Sequence, residues 1–88
     1  MKMVMAIVQA DDAPKIMQAL IESGHRVTRI ATEGGWLRRE NVTLLLGVED
    51  EKVEAAFQIL KESCSSAPQG EKRATIFVIP VEKFEQVQ

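Results

Sequence analysis

Apolar and polar positions change rhythm several times along the 88 residues, and each change marks an element. Val4 to Val8 is a short, nearly continuous apolar run. It predicts a central strand covered on both faces, or on one face plus a subunit contact. Asp11 or Asp12 then serves as a helix cap, and Pro14 suits the first turn. Ile16, Met17, Leu20 and Ile21 recur at helical spacing and predict one apolar stripe. Gly24, after Ser23, reads as the stop. Val27 to Ile30 restarts with alternation and β-branched residues, which predicts a second strand with Arg26, Thr28 and Arg29 beside its apolar positions. Thr32-Glu33-Gly34-Gly35 ends it, and Val42 to Val48 predicts the third strand.

Asp50 is expected to cap a second helix. Its apolar face is Val53, Ala56, Phe57 and Leu60, with Glu51, Lys52, Glu54 and Lys61 mainly outside that face. Ser63 to Gly70 is rich in Ser, Pro and Gly and reads as a loop. Thr75 to Val81 is the fourth strand, and Pro80 near its end predicts an edge or terminal position. The order β-α-β-β-α-β predicts an α+β, ferredoxin-like fold: an antiparallel sheet with two helices on one face. Two helices leave the other sheet face uncovered within the chain. The strands are apolar on both faces, so an oligomer that packs sheet against sheet is expected. The length suits one domain over residues 1–88, and no internal repeat or low-complexity segment stands out.

Composition narrows the function classes. The net charge is −2 and no long run of one sign occurs, which argues against a broad nucleic-acid or membrane surface. Cys64 is the only cysteine, so no intrachain disulfide forms and a reducing, cytoplasmic setting is expected. The opening run MKMVMAIVQA is too short and too soon acidic for a signal peptide and reads as a strand.

Candidate chemistry gathers in Thr32 to Asn41, a connection longer than the two-residue turn that could join its strands. It holds the only tryptophan. The plainer reading folds Trp36 back onto the sheet or into a subunit contact. The functional reading uses Trp36 as a stacking surface for a base and Arg38 and Arg39 as charge for phosphate. Gly34 and Gly35 permit close backbone approach, and Asn41 suits an adenine edge. Arg26 and Thr28 add a charge and a hydroxyl. Gly47, inside an apolar run, marks either a bulge or a close approach. Phe77 is either core or a second stacking surface. His25, the only histidine, reads as a solvated turn residue. No coherent acid, base and nucleophile set, no phosphate-binding loop and no metal cluster is visible, so no enzyme, cofactor or metal is expected.

These residues resemble a known family, the PII-like cyclic-di-AMP receptor proteins, in a short-loop form. The similar segments are Met1 to Gln9, Arg26 to Arg38, Asn41-Val42-Thr43 with Gly47-Val48, and Ala74 to Val81. The pattern Thr-x-Gly-Gly-aromatic-Leu-Arg followed by Asn is the most specific. The resemblance implies a homotrimer of ferredoxin-like subunits in cytoplasmic signal transduction, with one nucleotide-binding site at each subunit interface. It implies that Arg26 and Thr28 lie near phosphate and that Trp36 lies against adenine. Gly35, Leu37, Asn41 and Gly47 line the same pocket, and Phe77 comes from the last strand. The implied ligand is cyclic-di-AMP, passed as a signal to a downstream protein.

The chain departs from that family in its short Ser63 to Arg73 connection. Glu71-Lys72-Arg73 also stands where a glycine-rich approach is usual, and Trp36 where Phe is usual. The short connection favours a second reading, a PII-like protein-interaction module that has lost nucleotide binding. A third is a small enzyme on a dimeric α+β barrel, which fold alone does not exclude.

Overall fold

The computed structural model describes residues 1–30, 41–64 and 73–87. Its elements are β1 (Lys2–Gln9), α1 (Ala13–Glu22), β2 (Val27–Ile30) and β3 (Asn41–Val48). A 3-10 turn at Asp50–Lys52 then leads into α2 (Val53–Ser63), and β4 (Ala74–Pro80) follows. The sheet order is β2-β3-β1-β4 and every neighbouring pair is antiparallel. This is the ferredoxin-like arrangement, with β1 and β3 inside and β2 and β4 at the edges. Pro80, at the end of an edge strand, leaves no interior ladder position without a donor.

Strand periodicity sorts the side chains. Val4, Ala6 and Val8 of β1 and Val42, Leu44, Leu46 and Val48 of β3 lie on one face and are buried. They pack with Ala13, Ile16 and Leu20 of α1 and with Leu60 of α2 in one core. Each such side chain contributes about 1.5–3 kcal/mol on leaving water. The register puts Ile76 opposite Ala6 and Ala74 opposite Val8, so β4 extends the same face.

Helix α1 differs from its expected stripe at one end. Ile16 and Leu20 are buried, Met17 is half-buried, and Ile21 is 57% exposed. Ala13 takes a buried place in the first turn instead. The stop at Gly24 is a Schellman closure. The Gly24 amide donates to the Ile21 carbonyl at 3.0 Å, and the His25 amide donates to the Leu20 carbonyl at 2.9 Å. Gly24 has φ of +90°, a conformation that costs a side-chain-bearing residue about 1–2 kcal/mol.

Of the two expected aspartate caps, Asp12 keeps its place without the capping bond, and Asp50 is corrected. Asp12 stands at the N-cap position but makes no side-chain capping bond. Its carboxylate is 1% exposed and meets two cations, Arg73 at 3.4 Å and Lys15 at 3.6 Å. Charge pairing is the stronger offset to burial of a carboxylate, and the Arg73 partner lies 61 residues away in sequence. Asp50 begins the 3-10 turn rather than capping α2, and Glu49 precedes it without a side-chain cap. Its carboxylate accepts from the Met1 amine at 3.0 Å. That contact, with the charge of Lys2, holds the Asp50 carboxyl below its usual range.

Candidate ligand cleft at the β2–β3 corner

The open face of the sheet carries Met3, Met5 and Ile7 of β1, Leu45 of β3, and Phe77 and Ile79 of β4. No helix among the described residues covers these positions. Pairing of Thr28 with Leu45 puts Thr28 on this face, and the register continued by one residue sets Arg26 opposite Gly47. Two residues apart on one strand means one side of the pleat. Arg26 and Thr28 therefore stand in line, facing the strand that holds Gly47.

At this corner lies a cleft of about 730 Å³, within the range of small-molecule sites. Arg26, Thr28 and Gly47 all line it. Gly47 keeps the strand thin there: a Cβ at this position would come within 3.1 Å of the Met1 side-chain terminus. The main chain of the corner is held by the Schellman closure on one side and by β2–β3 pairing on the other, so Arg26 starts from a fixed backbone.

Other sequence-derived candidates lie elsewhere. Asn41 pairs with Gln9 at the opposite end of β3. Gly47 lies six residue steps along the strand from it, roughly 20 Å. Phe77 is 49% exposed on the open face, but it pairs with Met5 on the far side of β1 and does not line the cleft. Gly35, Trp36, Leu37 and Arg38 lie outside the described residues.

The cleft also holds residues that sequence reasoning passed over. His25 lines it and is half-buried, where a solvated turn residue was expected. Lys52 of the 3-10 turn contributes, and so do Lys83 and Phe84 from the segment after β4. That segment leaves the sheet through the Val81 amide, which donates to the Met1 carbonyl at 3.2 Å. Phe84 is 59% exposed. The available signal was an aromatic residue beyond the last strand, with no helix or strand period to bury it. Arg26 and Lys52 bring positive charge to the cleft beside Glu49, and Lys83 does so while paired with Glu85 at 3.6 Å. Together with the apolar surface of Leu45 and Phe84, this suits a planar, anionic ligand.

The described residues offer little for covalent chemistry. Burial first, and then the charge of Asp12, push the Cys64 thiol above its usual range. A thiol held in that form is a weak nucleophile. Among the described residues, no group of three or more His, Cys, Asp or Glu side chains is arranged to hold a metal ion. No helix among them is long and apolar enough to cross a membrane.

Comparison with known proteins shows the family and the fold. Residues 1–72 match the cyclic-di-AMP receptor family. The match takes in α1, the β2–β3 corner, the 3-10 turn and α2, and stops before β4. The crystal structure of a functionally unknown protein from Pediococcus pentosaceus ATCC 25745 superposes with a TM-score of 0.77 at 32% identity. The alignment covers 98% of this chain and 96% of that one, so the two correspond almost end to end.

Proposed function

We propose a function from one established premise: the chain belongs to the cyclic-di-AMP receptor family. Residues 1–88 act as one PII-like receptor domain that binds cyclic-di-AMP, or a related adenine nucleotide, and relays its occupancy to a protein partner in the cytoplasm. The role is binding, without catalysis. The observation that carries this reading is the meeting of Arg26, Thr28 and Gly47 at one cleft of about 730 Å³. Arg26 supplies charge and Thr28 a hydroxyl to a phosphate. Gly47 leaves room for the ligand against the strand, and Gly35, Trp36, Leu37 and Arg38 complete the site around an adenine.

The distances within one chain favour a shared site. Asn41 and Phe77 are on the same sheet face as the cleft yet too far away along and across the strands to line it. A neighbouring copy packed on the open face brings its own Asn41 or Phe77 to this cleft. The half-exposed apolar side chains of that face give such packing its driving force. The assembly is a homotrimer, with the nucleotide between subunits.

Calorimetry with purified protein tests the reading. Saturable binding of cyclic-di-AMP is expected, with loss of most of the heat in Arg26→Ala and Trp36→Ala. A native protein that gives no heat at high micromolar nucleotide would overturn it. One observation favours a second reading, an interaction module without nucleotide. Arg73 occupies the usual glycine-rich approach to β4 and is bound to the buried Asp12. Under that reading, a partner is captured equally with and without nucleotide.

A further inference from the structure

The cleft contains a titratable group that the proposed contacts leave unused. His25 is the only histidine of the chain. The turn that delivers it is well defined, since Gly24 has φ of +90° and the His25 amide is bonded to the Leu20 carbonyl at 2.9 Å. The residue is half-buried, lines the cleft and directly precedes Arg26. Histidine is the one side chain whose charge ordinarily changes between about pH 5 and 8.

The charged groups around it set the sign of any effect. Arg26, Lys52, Lys83 and Glu49 line the same cleft. Glu22 ends α1 beside it, and its carboxylate accepts a hydrogen bond from Gln18. Asp50, next to Glu49, is engaged by the Met1 amine. Lys83 is itself paired with Glu85 at 3.6 Å, so cations and acids come close to balancing around His25, and Glu22, Asp50 and Glu85 each already have a partner. An anion entering this cleft adds negative charge beside His25, and an opposite charge nearby favours the protonated form of an imidazole.

We propose that His25 is a pH-responsive ligand contact, which when protonated adds a second cationic donor beside Arg26 for a phosphate of the bound nucleotide. This rests on the cyclic-di-AMP reading of the same cleft. The two phosphodiesters of that ligand stay ionised throughout the neutral and mildly acidic range, so the ligand's own charge does not change. The bound state favours the imidazolium, and binding takes up a proton. Affinity therefore rises as pH falls, and it levels off once the imidazole is charged in the free protein.

The test is calorimetric titration with cyclic-di-AMP at pH 7.4 and pH 5.8 and constant ionic strength, on the native protein, His25→Gln and His25→Lys. The native protein is expected to bind about 3- to 10-fold more tightly at the lower pH, the scale of one added charge-assisted contact. His25→Gln changes less than about twofold. His25→Lys, with a permanent charge, is equally flat and stays near the tighter native value. Repeating the native titration in buffers of different ionisation heat reads the proton uptake directly, even if one variant fails to fold. The inference is overturned if native protein binds with no proton uptake, or if His25→Gln keeps the native pH slope. In either case the cyclic-di-AMP reading stands. Absence of binding at both pH values overturns that reading and the role of His25 together.

Discussion

Along β1 the two faces of the sheet diverge residue by residue: Val4, Ala6 and Val8 are 0, 0 and 1% exposed, while Met3, Met5 and Ile7 on the other side are only half-buried. Both sets are apolar and share one backbone. The difference lies in what covers them. Helices α1 and α2 close over the first set, and among the described residues the second lies beside its neighbours on β3 and β4 with no helix over it. Apolar side chains on the covered face are explained by the fold of one chain. Those on the open face are more than that fold uses, and the proposed site residues Arg26, Thr28, Gly47, Asn41 and Phe77 lie among them. One face stabilises the subunit, and the other carries the work proposed for it.

Neighbouring residues of β3 offer the sharpest break of this comparison. Leu44→Ala empties a fully buried position on the covered face. A loss of about 2–5 kcal/mol of unfolding free energy is expected from denaturant titration. Its neighbour Leu45 lies on the open face. Leu45→Asp is expected to cost the isolated subunit less than about 1 kcal/mol and to dissociate the assembly in sedimentation velocity. A native protein that sediments as a monomer would remove the reason for the open face being apolar. The smallest effect is expected for Gly47→Ala. The new methyl group meets only the mobile end of Met1, at 3.1 Å, so stability should move by under about 0.5 kcal/mol. Nucleotide affinity should nevertheless fall several-fold, because the methyl group enters the cleft. Equal affinity would mean that the ligand does not approach this strand.

Much of the fold was legible because it depends on local periodicity. Val27 to Ile30 is the observed β2 without adjustment. The third and fourth strands shift by one residue, at Asn41 and Ala74. Gly24 was readable as a stop because few other residues tolerate its φ. Asp12 holds the expected N-cap position without the expected bond, and Asp50 does not cap α2, for a shared reason. A cap is a local inference, and both Asp12 and Asp50 found stronger partners through contacts that are not local to a helix start: Arg73 for one, the chain's amine for the other.

The candidate cleft was legible in part. Arg26, Thr28 and Gly47 do converge, since a hairpin register joins positions that pattern alone can count. The cleft membership of His25, Lys52, Lys83 and Phe84 was not visible, because it depends on where a helix end, a 3-10 turn and the segment after β4 meet in space. Nor does sequence order reveal that Phe77 and Asn41 stand away from Arg26 within one chain. That follows from β1 lying between β3 and β4, and from Asn41 and Gly47 ending opposite sides of the same strand.

By itself, then, the sequence determined the element order, the apolar faces and the family, each of which is written in short-range spacing or in a contiguous motif. The tertiary structure decided which charges meet and which side chains share the cleft. Those are properties of long-range pairing: Asp12 and Arg73 touch because β1 and β4 are adjacent strands, and no local rule along 61 residues of chain encodes that contact.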